Sequence, residues 1–453
     1  MRLVLFLQSS ASVVAFVGKP LRSWRGYHHT AMSSFIEHKV GSSEGRELLE
    51  TAVMAKPCAW ISVDQEKVAL LDGYSVACMH PPTLMMASDA IPDCILKQLE
   101  NSKRVTLSCA TLREQHCLER AKNTLSFSEM GLIPQHREGY PSAVQSSPIH
   151  MHCHLVEKVE LGEKGKTMVL LQIDLVVMKR KILTPPPPAD AGGRNILALV
   201  DANKLQPIAS MGHERYATMA GLHLLERPFK TEDGNWISDP FELSTVRDAH
   251  KDKEIPETVE WVTSEPSPLG FNPIKAIVVP RPIGWISTYF PETVGHVAPY
   301  SFFMDVARGD QPMVAFSAYR PTDGPLKDVQ LDVQERKCFG VSTVSPELAV
   351  AMNLSSAPIE RDESEFKLAG LASQPATLID APLVRDSNNV LECEYVKTVD
   401  VGGFSILIGK VLSIKVSESV LTNGKMDASK LKPVTRLGYT DEYAVIDQPV
   451  NNV

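Results

Sequence analysis

The chain is poor in cysteine and arranges what it has without pattern. Its eight cysteines, at 58, 78, 94, 109, 117, 153, 338 and 393, include no C-x-x-C pair. That spacing argues against a disulfide scaffold and against a zinc ribbon. Positive charge is not in excess either: 46 Lys and Arg against 54 Asp and Glu leave a formal net charge of −8. No global basic field recommends nucleic acid as a partner. The best internal apolar run, Met168 to Met178, is interrupted by Gln172 and Asp174, short of the roughly 18 uninterrupted residues of a membrane-crossing helix, so no membrane span is expected. No G-x-G-x-x-G occurs, and no separate dinucleotide-binding domain is indicated. What remains is an ordinary globular balance, 43% hydrophobic and 22% charged over 453 residues. At roughly 150 residues per domain this suggests two or three domains.

Acidic residues are also missing from residues 1–36, which contain Arg2, Lys19, Arg22 and Arg25 before the first acid, Glu37. A basic, serine-containing, acid-free start is the composition of an organelle targeting presequence. Arg25-Gly26-Tyr27 resembles a matrix-protease cleavage pattern, which puts mitochondrion first. A second reading takes Leu3–Leu7 as a short signal core and Ser12–Phe16 as the cleavage region of a bipartite plastid presequence. A third starts synthesis at Met32 and leaves the product in the cytoplasm.

The strongest internal signal is a repeat. Lys56-Pro57-Cys58-Ala59-Trp60-Ile61-Ser62 reads against Arg281-Pro282-Ile283-Gly284-Trp285-Ile286-Ser287, an offset of 225. Gly73-Tyr74-Ser75 falls opposite Pro299-Tyr300-Ser301, and Asp201 to Ile208 opposite Asp427 to Val434, both at 226. Three blocks in one order at a nearly constant offset indicate a tandem duplication. The organisation expected is a presequence (1–36), a first copy (37–225), a linker rich in charge and proline (226–257) and a second copy (258–448). Pro185–Pro188 followed by Ala189 to Gly193 reads as a stiff-then-flexible spacer inserted late in the first copy.

Both copies read as mainly β with a few helices. Ile406 to Val416 and its counterpart Met168 to Val177 suit barrel strands. Ile274–Val279, Gly284–Tyr289, Met313–Ala318 and Cys338–Thr343 are further short β-branched or aromatic runs. Helical pieces are expected at Asp93–Asn101, Glu114–Asn123, Pro346–Asn353 and Ser364–Ala369. Short strands with turn residues between them point to a closed or split β-barrel. His150, His152 and His154 would project to one face of a strand, a spacing that suits zinc or copper. The preferred reading is a strand with alternating polar residues and no metal, because Cys153 aligns with Cys393 of Leu391-Glu392-Cys393-Glu394-Tyr395.

Chemistry concentrates in the second copy. Arg281 to Thr288 is a strand ending in two hydroxyls, followed by Val297 to Met304, Pro312 to Ser317 and Lys327-Asp328. Hydroxyls and strand-end N–H groups suit phosphate oxygens, a lysine supplies charge, and aromatic faces sandwich a flat ring. Residues 270–447 resemble the flavin reductase-like proteins, which bind FMN in a split β-barrel. The resemblance runs through Pro282–Thr288, Ala298–Phe303, Pro312–Ser317, Lys327-Asp328, Met352–Ser356, Glu365-Phe366, Leu391–Glu394, Ile408–Val411 and Leu431–Gly438.

The resemblance implies two tandem FMN-binding split barrels, packed as an intrachain pseudo-dimer or as a homodimer. It implies cofactor contacts at Trp285, Ile286, Ser287, Thr288, Tyr300, Ser301, Phe302 and Phe303, with Ser317 and Lys327 on the phosphate side and Asn353 near the site. It implies NAD(P)H as co-substrate and a partner monooxygenase among the acceptors of reduced flavin. Two departures stand out. The family's Lys-Asp-Thr reads Lys327-Asp328-Val329 here, and a histidine that some members carry after the Gly-x-Val motif is replaced by Lys415. The first copy keeps Trp60, Ser62, Tyr74 and Ser75 but has no Phe-Phe pair and no Lys-Asp, and reads as degenerate. The function expected is an FMN-binding oxidoreductase of the flavin reductase type, with no catalytic acid or base named. Its rivals are a flavin-binding or carrier module without turnover, and a scaffold that has lost the cofactor.

Overall fold

The computed structural model describes residues 34–40, 42–49, 51–121, 124–162, 165–185, 198–212, 215–225, 227–238, 242–243, 256–290, 293–321, 326–439 and 442–450. The expected presequence, up to residue 33, and the spacer beyond Pro185 lie outside the described residues. Among the described residues no helix is long and apolar enough to cross a membrane.

A strand β1 (Phe35–Lys39) and a short helix α1 (Ser43–Leu49) precede the first copy. Its sheet consists of β2 (Lys56–Ser62), β3 (Lys67–Asp72), β4 (Ser75–Met79), β5 (Pro82–Ala87), β6 (Arg104–Cys109), β7 (Ile149–Glu160) and β8 (Thr167–Lys179), with helix α2 (Asp93–Ser102) between β5 and β6. The strands pair antiparallel in the order β3–β2–β6–β7–β8–β5–β4. Two closing strands follow, β9 (Ala209–Ser210) and β10 (Tyr216–Leu224).

The second copy opens with β11 (Thr258–Val262), helix α3 (Ile274–Ile277) and β12 (Arg281–Pro282). Then come β13 (Gly284–Phe290), β14 (Val294–Tyr300), β15 (Phe303–Ala307), β16 (Met313–Tyr319), helix α4 (Asp328–Arg336), β17 (Cys338–Ser342), helices α5 (Ala349–Leu354) and α6 (Glu365–Leu368), β18 (Asn389–Val401) and β19 (Phe404–Ser417). Their order, β14–β13–β17–β18–β19–β16–β15, repeats the first copy strand for strand. Even the irregularities recur: bulges at His152/Cys153 and Leu155/Glu157 in β7 reappear at Glu392/Cys393 and Tyr395/Lys397 in β18. Bulges bend a strand and raise its twist, which lets both sheets curl into split barrels. Strands β20 (Val434–Arg436) and β21 (Glu442–Pro449) close the chain.

The copies exchange strands. β1, ahead of the first copy, pairs with β19 of the second from Phe35↔Ser417 to Lys39↔Ser413. β11, which opens the second copy, pairs with β8 of the first from Leu175↔Val262 to Lys179↔Thr258. β10 and β21 pair as well. The side-chain period of two then buries both faces of the long strands. From β19, Leu407, Val411 and Ile414 fill their own barrel, while Ile406 and Ile408 pack against Met85, Met168 and Leu170 of the first copy. This is why the start of that run is apolar without alternation. Gly409 sits where a Cβ would lie 2.3 Å from the Phe339 ring, and Gly402 (φ +56°) where one would lie 2.5 Å from the His80 carbonyl oxygen of the other copy.

Three local expectations change. Ile274–Val279 starts as the helical turn α3 and not as a strand, because Pro273 precedes it and the Asn272 Oδ1 accepts the Ile274 N–H at 3.0 Å. Glu114–Asn123 falls in a 3-10 helix, Leu112–Arg120, started by a capping box between Thr111 and Glu114. Helix α4 was not anticipated; its buried face mixes Val329 and Val333 with Gln330 and Asp332, so no apolar stripe announces it.

One buried ion pair ties the copies together. Lys56, 1% exposed, reaches Asp305 of the second copy at 3.0 Å, and Arg308 joins the same carboxylate at 2.8 Å and Asp72 at 3.2 Å. Burial works against the charge on Asp305, but Lys56 and Arg308 outweigh it and lower its pKa. Asp305→Ala strands the Lys56 charge and is expected to cost about 3–5 kcal/mol, whereas replacing both by apolar residues of similar volume should restore most of it. Thermal melting of both variants checks this. The depressed Asp305 pKa makes its contribution present above the ordinary Asp range and lost as pH falls through the folded value, so the gap between wild type and Asp305→Ala should narrow in acid.

Candidate functional site

The end of the β13–β14 hairpin and helix α4 build a polar cluster that neither forms alone. Cross-strand pairing sets Thr288 opposite His296. Helix α4 lays the fully buried Asp332 beneath them. Asp332 Oδ2 accepts from Thr288 Oγ1 at 3.3 Å and lies 3.1 Å from His296 Nδ1, while Oδ1 accepts from Arg361 Nη2 at 2.5 Å. Arg361 stacks 3.8 Å over the Phe290 ring, and its Nε lies 3.6 Å from Asp328. Glu365, at the start of α6, accepts the Val297 N–H at 3.3 Å.

These charges set one another's protonation. Burial opposes a proton on His296, but the hydrogen bond to Asp332 and the charges of Glu365, Asp332 and Asp328 prevail and raise its pKa. Burial raises the Glu365 carboxyl. Burial, followed by the carboxylates of Glu365, Asp328 and Asp332, raises the Tyr300 phenol, which places Tyr300 in the field of the same cluster.

The next segment breaks between β14 and β15. Tyr300 and Ser301 are half-buried there, and the Tyr300 ring lies 4.9 Å from Phe316. The Phe302 ring is flanked by the Lys275 ammonium at 5.7 Å and the Arg281 guanidinium at 5.8 Å. Burial, then Arg281 and Arg436, pushes the Lys275 pKa down to about 8. Lys327 is exposed immediately before α4, and its backbone N–H donates to Gln330 Oε1 at 2.9 Å.

The other residues expected at the site point into packing or into other partners. Trp285 is fully buried with Ala349, Met352 and Phe366 beneath α5 and α6, and its Nε1 donates to Ser355 Oγ at 2.8 Å. Ile286 belongs to the barrel core, and Phe303 packs over Gly284, where a Cβ would approach it to 2.6 Å. Ser287 donates to the Pro382 carbonyl, and Asn353 Nδ2 donates to Ser238 Oγ at 2.8 Å. Ser317 Oγ donates to the Ala77 carbonyl of the first copy at 2.6 Å. Of the expected contacts only Tyr300, Ser301 and Lys327 keep half-buried or exposed side chains; Thr288 and Phe302 are buried. His296, Asp332 and Arg361 were missed; the signal available was only a histidine opposite a threonine on a hairpin.

The first copy abuts the second barrel. Its β4–β5 hairpin meets the second barrel through Ser317, through Gly402, and through Asn272 Nδ2, which donates to the Met79 carbonyl at 3.1 Å. Its own counterparts of the site are closed: Trp60, Tyr74 and Ser75 are each 1% exposed, with Trp60 Nε1, Tyr74 Oη and Ser75 Oγ buried without a hydrogen-bond partner among the described residues. Lys415, where some relatives carry histidine, is engaged with buried Glu392 at 3.1 Å and with Thr377 Oγ1 at 2.7 Å. His150 lies 3.0 Å from the Val144 carbonyl, His152 2.9 Å from Thr106 and His154 2.8 Å from Asp174. No group of three or more His, Cys, Asp or Glu among the described residues is placed to hold a metal.

A family profile described as the flavin reductase like domain matches residues 277–439. An uncharacterized protein of Aquifex aeolicus is 32% identical over 166 residues, 36% of this chain and 84% of that protein. One of Deinococcus radiodurans is 33% identical over 189 residues, 40% of this chain and 83% of that protein. Among solved structures, nitrilotriacetate monooxygenase component B from Bacillus cereus is similar at 29% identity, with a TM-score of 0.36, over 38% of this chain and 87% of that one. Through its second copy, the chain belongs to the flavin reductase-like family.

Proposed function

We propose that the second copy binds FMN at the β13–β14 end of its barrel, against the β4–β5 hairpin of the first copy, and passes hydride from NAD(P)H to that flavin. The observation that carries this reading is the match at 277–439, which contains every expected cofactor contact, together with half-buried Tyr300 and Ser301 on the hairpin whose Thr288 bonds to helix α4. The donor set fits such a ligand. His296 Nε2 is buried without a partner among the described residues, and half-buried Tyr300 and Ser301 offer hydroxyls beside aromatic faces.

When bound, the flavin would supply the hydride-accepting ring; the chain supplies position and electrostatics. Thr288, fixed by Asp332, and Ser301 orient the polar edge of the ligand. Tyr300 and Phe302 exclude water from its faces. Lys327 offers charge to the phosphate from the start of α4. The units 37–225 and 258–448, joined by 226–257, act as an intrachain pseudo-dimer in which the first copy closes the site and does not carry a second one. Electrons leave to oxygen, to a diffusible flavin or to a partner monooxygenase. A carrier without turnover is the second reading, favoured by the engagement of Lys415 with Glu392.

Titration with FMN under visible absorbance is expected to saturate near one flavin per chain. Two equal sites would show that the first copy is not degenerate, and an FMN spectrum unchanged by the protein would remove both readings. Loss of the Ser301 hydroxyl removes a hydrogen bond worth about 0.5–1.5 kcal/mol, up to about 3 if the acceptor is charged. Ser301→Ala should therefore weaken FMN roughly two- to hundredfold at unchanged melting temperature. Ser75→Ala should do little, and equal effects from the two variants would refute the assignment to the second copy.

A further inference from the structure

We propose that His296 is a positioning residue of the flavin site: clamped by Asp332, it keeps a proton whose charge favours reduced flavin over oxidised flavin. The inference rests on the FMN reading above. It starts from a buried imidazole with one nitrogen engaged and the other free. Nδ1 lies 3.1 Å from Asp332, and Nε2 is buried without a partner among the described residues. A lone buried histidine is usually a neutral core residue. This one is set apart by what faces it.

From α4 it faces Asp332 and Asp328, and from α6 it faces Glu365; from β13 come Thr288, which donates to the same Asp332 oxygen, and the Phe290 ring, stacked 6.0 Å away. Arg361, between α5 and α6, takes the other Asp332 oxygen and covers Phe290. Helix α5, which also packs on β14, carries no ionisable side chain. Three carboxylates against one guanidinium leave room for one more positive charge, and His296 is the group that can accept it.

The position matters because Thr288, an expected cofactor contact, donates to the same Asp332 oxygen. Two-electron reduction leaves a negative charge on the flavin ring near neutral pH, and charge placed near that ring is one of the ways a protein tunes a flavin. An imidazolium separated from it by a few side chains, in a partly dry setting, attracts the reduced form and is nearly indifferent to the neutral ring of the oxidised form. His296 would thus act on the balance between the two forms. Asp332 and Arg361 would act through it, the first by holding the proton and the second by fixing Asp332.

The test compares the wild-type chain with His296→Gln, which keeps a polar side chain but cannot titrate. The affinity for oxidised FMN is measured by fluorescence quenching, and that for reduced FMN follows from the midpoint potential of bound against free flavin. The expected result is a roughly tenfold fall in the preference for reduced flavin in His296→Gln, with the oxidised affinity within about twofold of wild type. A residue that only holds the hairpin together would weaken both forms alike, and equal losses overturn the proposal. A wild-type chain that binds no FMN removes the proposed function itself, a different failure. If His296→Gln does not fold, the wild type alone decides. Its preference for reduced flavin should decline as pH rises above the ordinary histidine range and the raised His296 loses its proton, and a preference that stays level overturns the inference.

Discussion

The long hairpins of this protein are buried on both faces, and most of the architecture follows from that constraint. A split barrel standing alone would show water the outer face that carries Ile406 and Ile408. Here the first copy covers it with Met85, Met168 and Leu170. At about 1.5–3 kcal/mol for each large apolar side chain taken fully out of water, this layer is a substantial share of what holds the copies together. Charged groups inside such a layer are tolerated only in pairs, which is the situation of Lys56 and Asp305. The exchanged strands β1 and β11 add backbone hydrogen bonds to the same association, each copy lending a strand to the other's hairpin.

The two copies share a strand order and a mutual contact but enclose equivalent residues differently. The first copy retains the strand order and the bulges, the features that shape the contact. Its Tyr74 and Ser75 are buried, with hydroxyls that have no partners among the described residues. Buried polar groups without partners are costly. In the second copy the equivalent positions, Tyr300 and Ser301, stay half-open. The same strand geometry therefore buries Tyr74 and Ser75 in the first copy and leaves Tyr300 and Ser301 half-buried in the second.

The sequence made the repeat, the strand character and the stretch bearing the site readable, because those depend on local pattern. Short β-branched or aromatic runs such as Gly284–Tyr289 and Met313–Ala318 became β13 and β16. Orientation was less legible. Trp285 and Ser287 sit on the outer face of β13 while Ile286 enters the barrel, and a motif read as a block does not separate the two faces. Ser317 is engaged by a carbonyl far away in the chain, a contact visible only once the copies are docked. Ile274 misled because its β-branched neighbours suit a strand, yet the proline before it and the Asn272 side chain favour a turn of helix.

The cluster around Asp332 shows why such a site resists sequence reading. Its members come from β13, β14, α4 and the segment leading to α6, and no two of them form a recognisable spacing. Each has an ordinary explanation in isolation: a strand-end hydroxyl, a core histidine, a helix carboxylate, a surface arginine. Only their convergence makes the carboxylate fully buried and gives it three donors, and a buried carboxylate needs such donors to remain charged. The helix that supplies Asp332 had no apolar stripe to announce it, because part of its buried face is spent on this polar contact and not on packing. The weakness of the helical signal and the presence of the cluster therefore have a common cause.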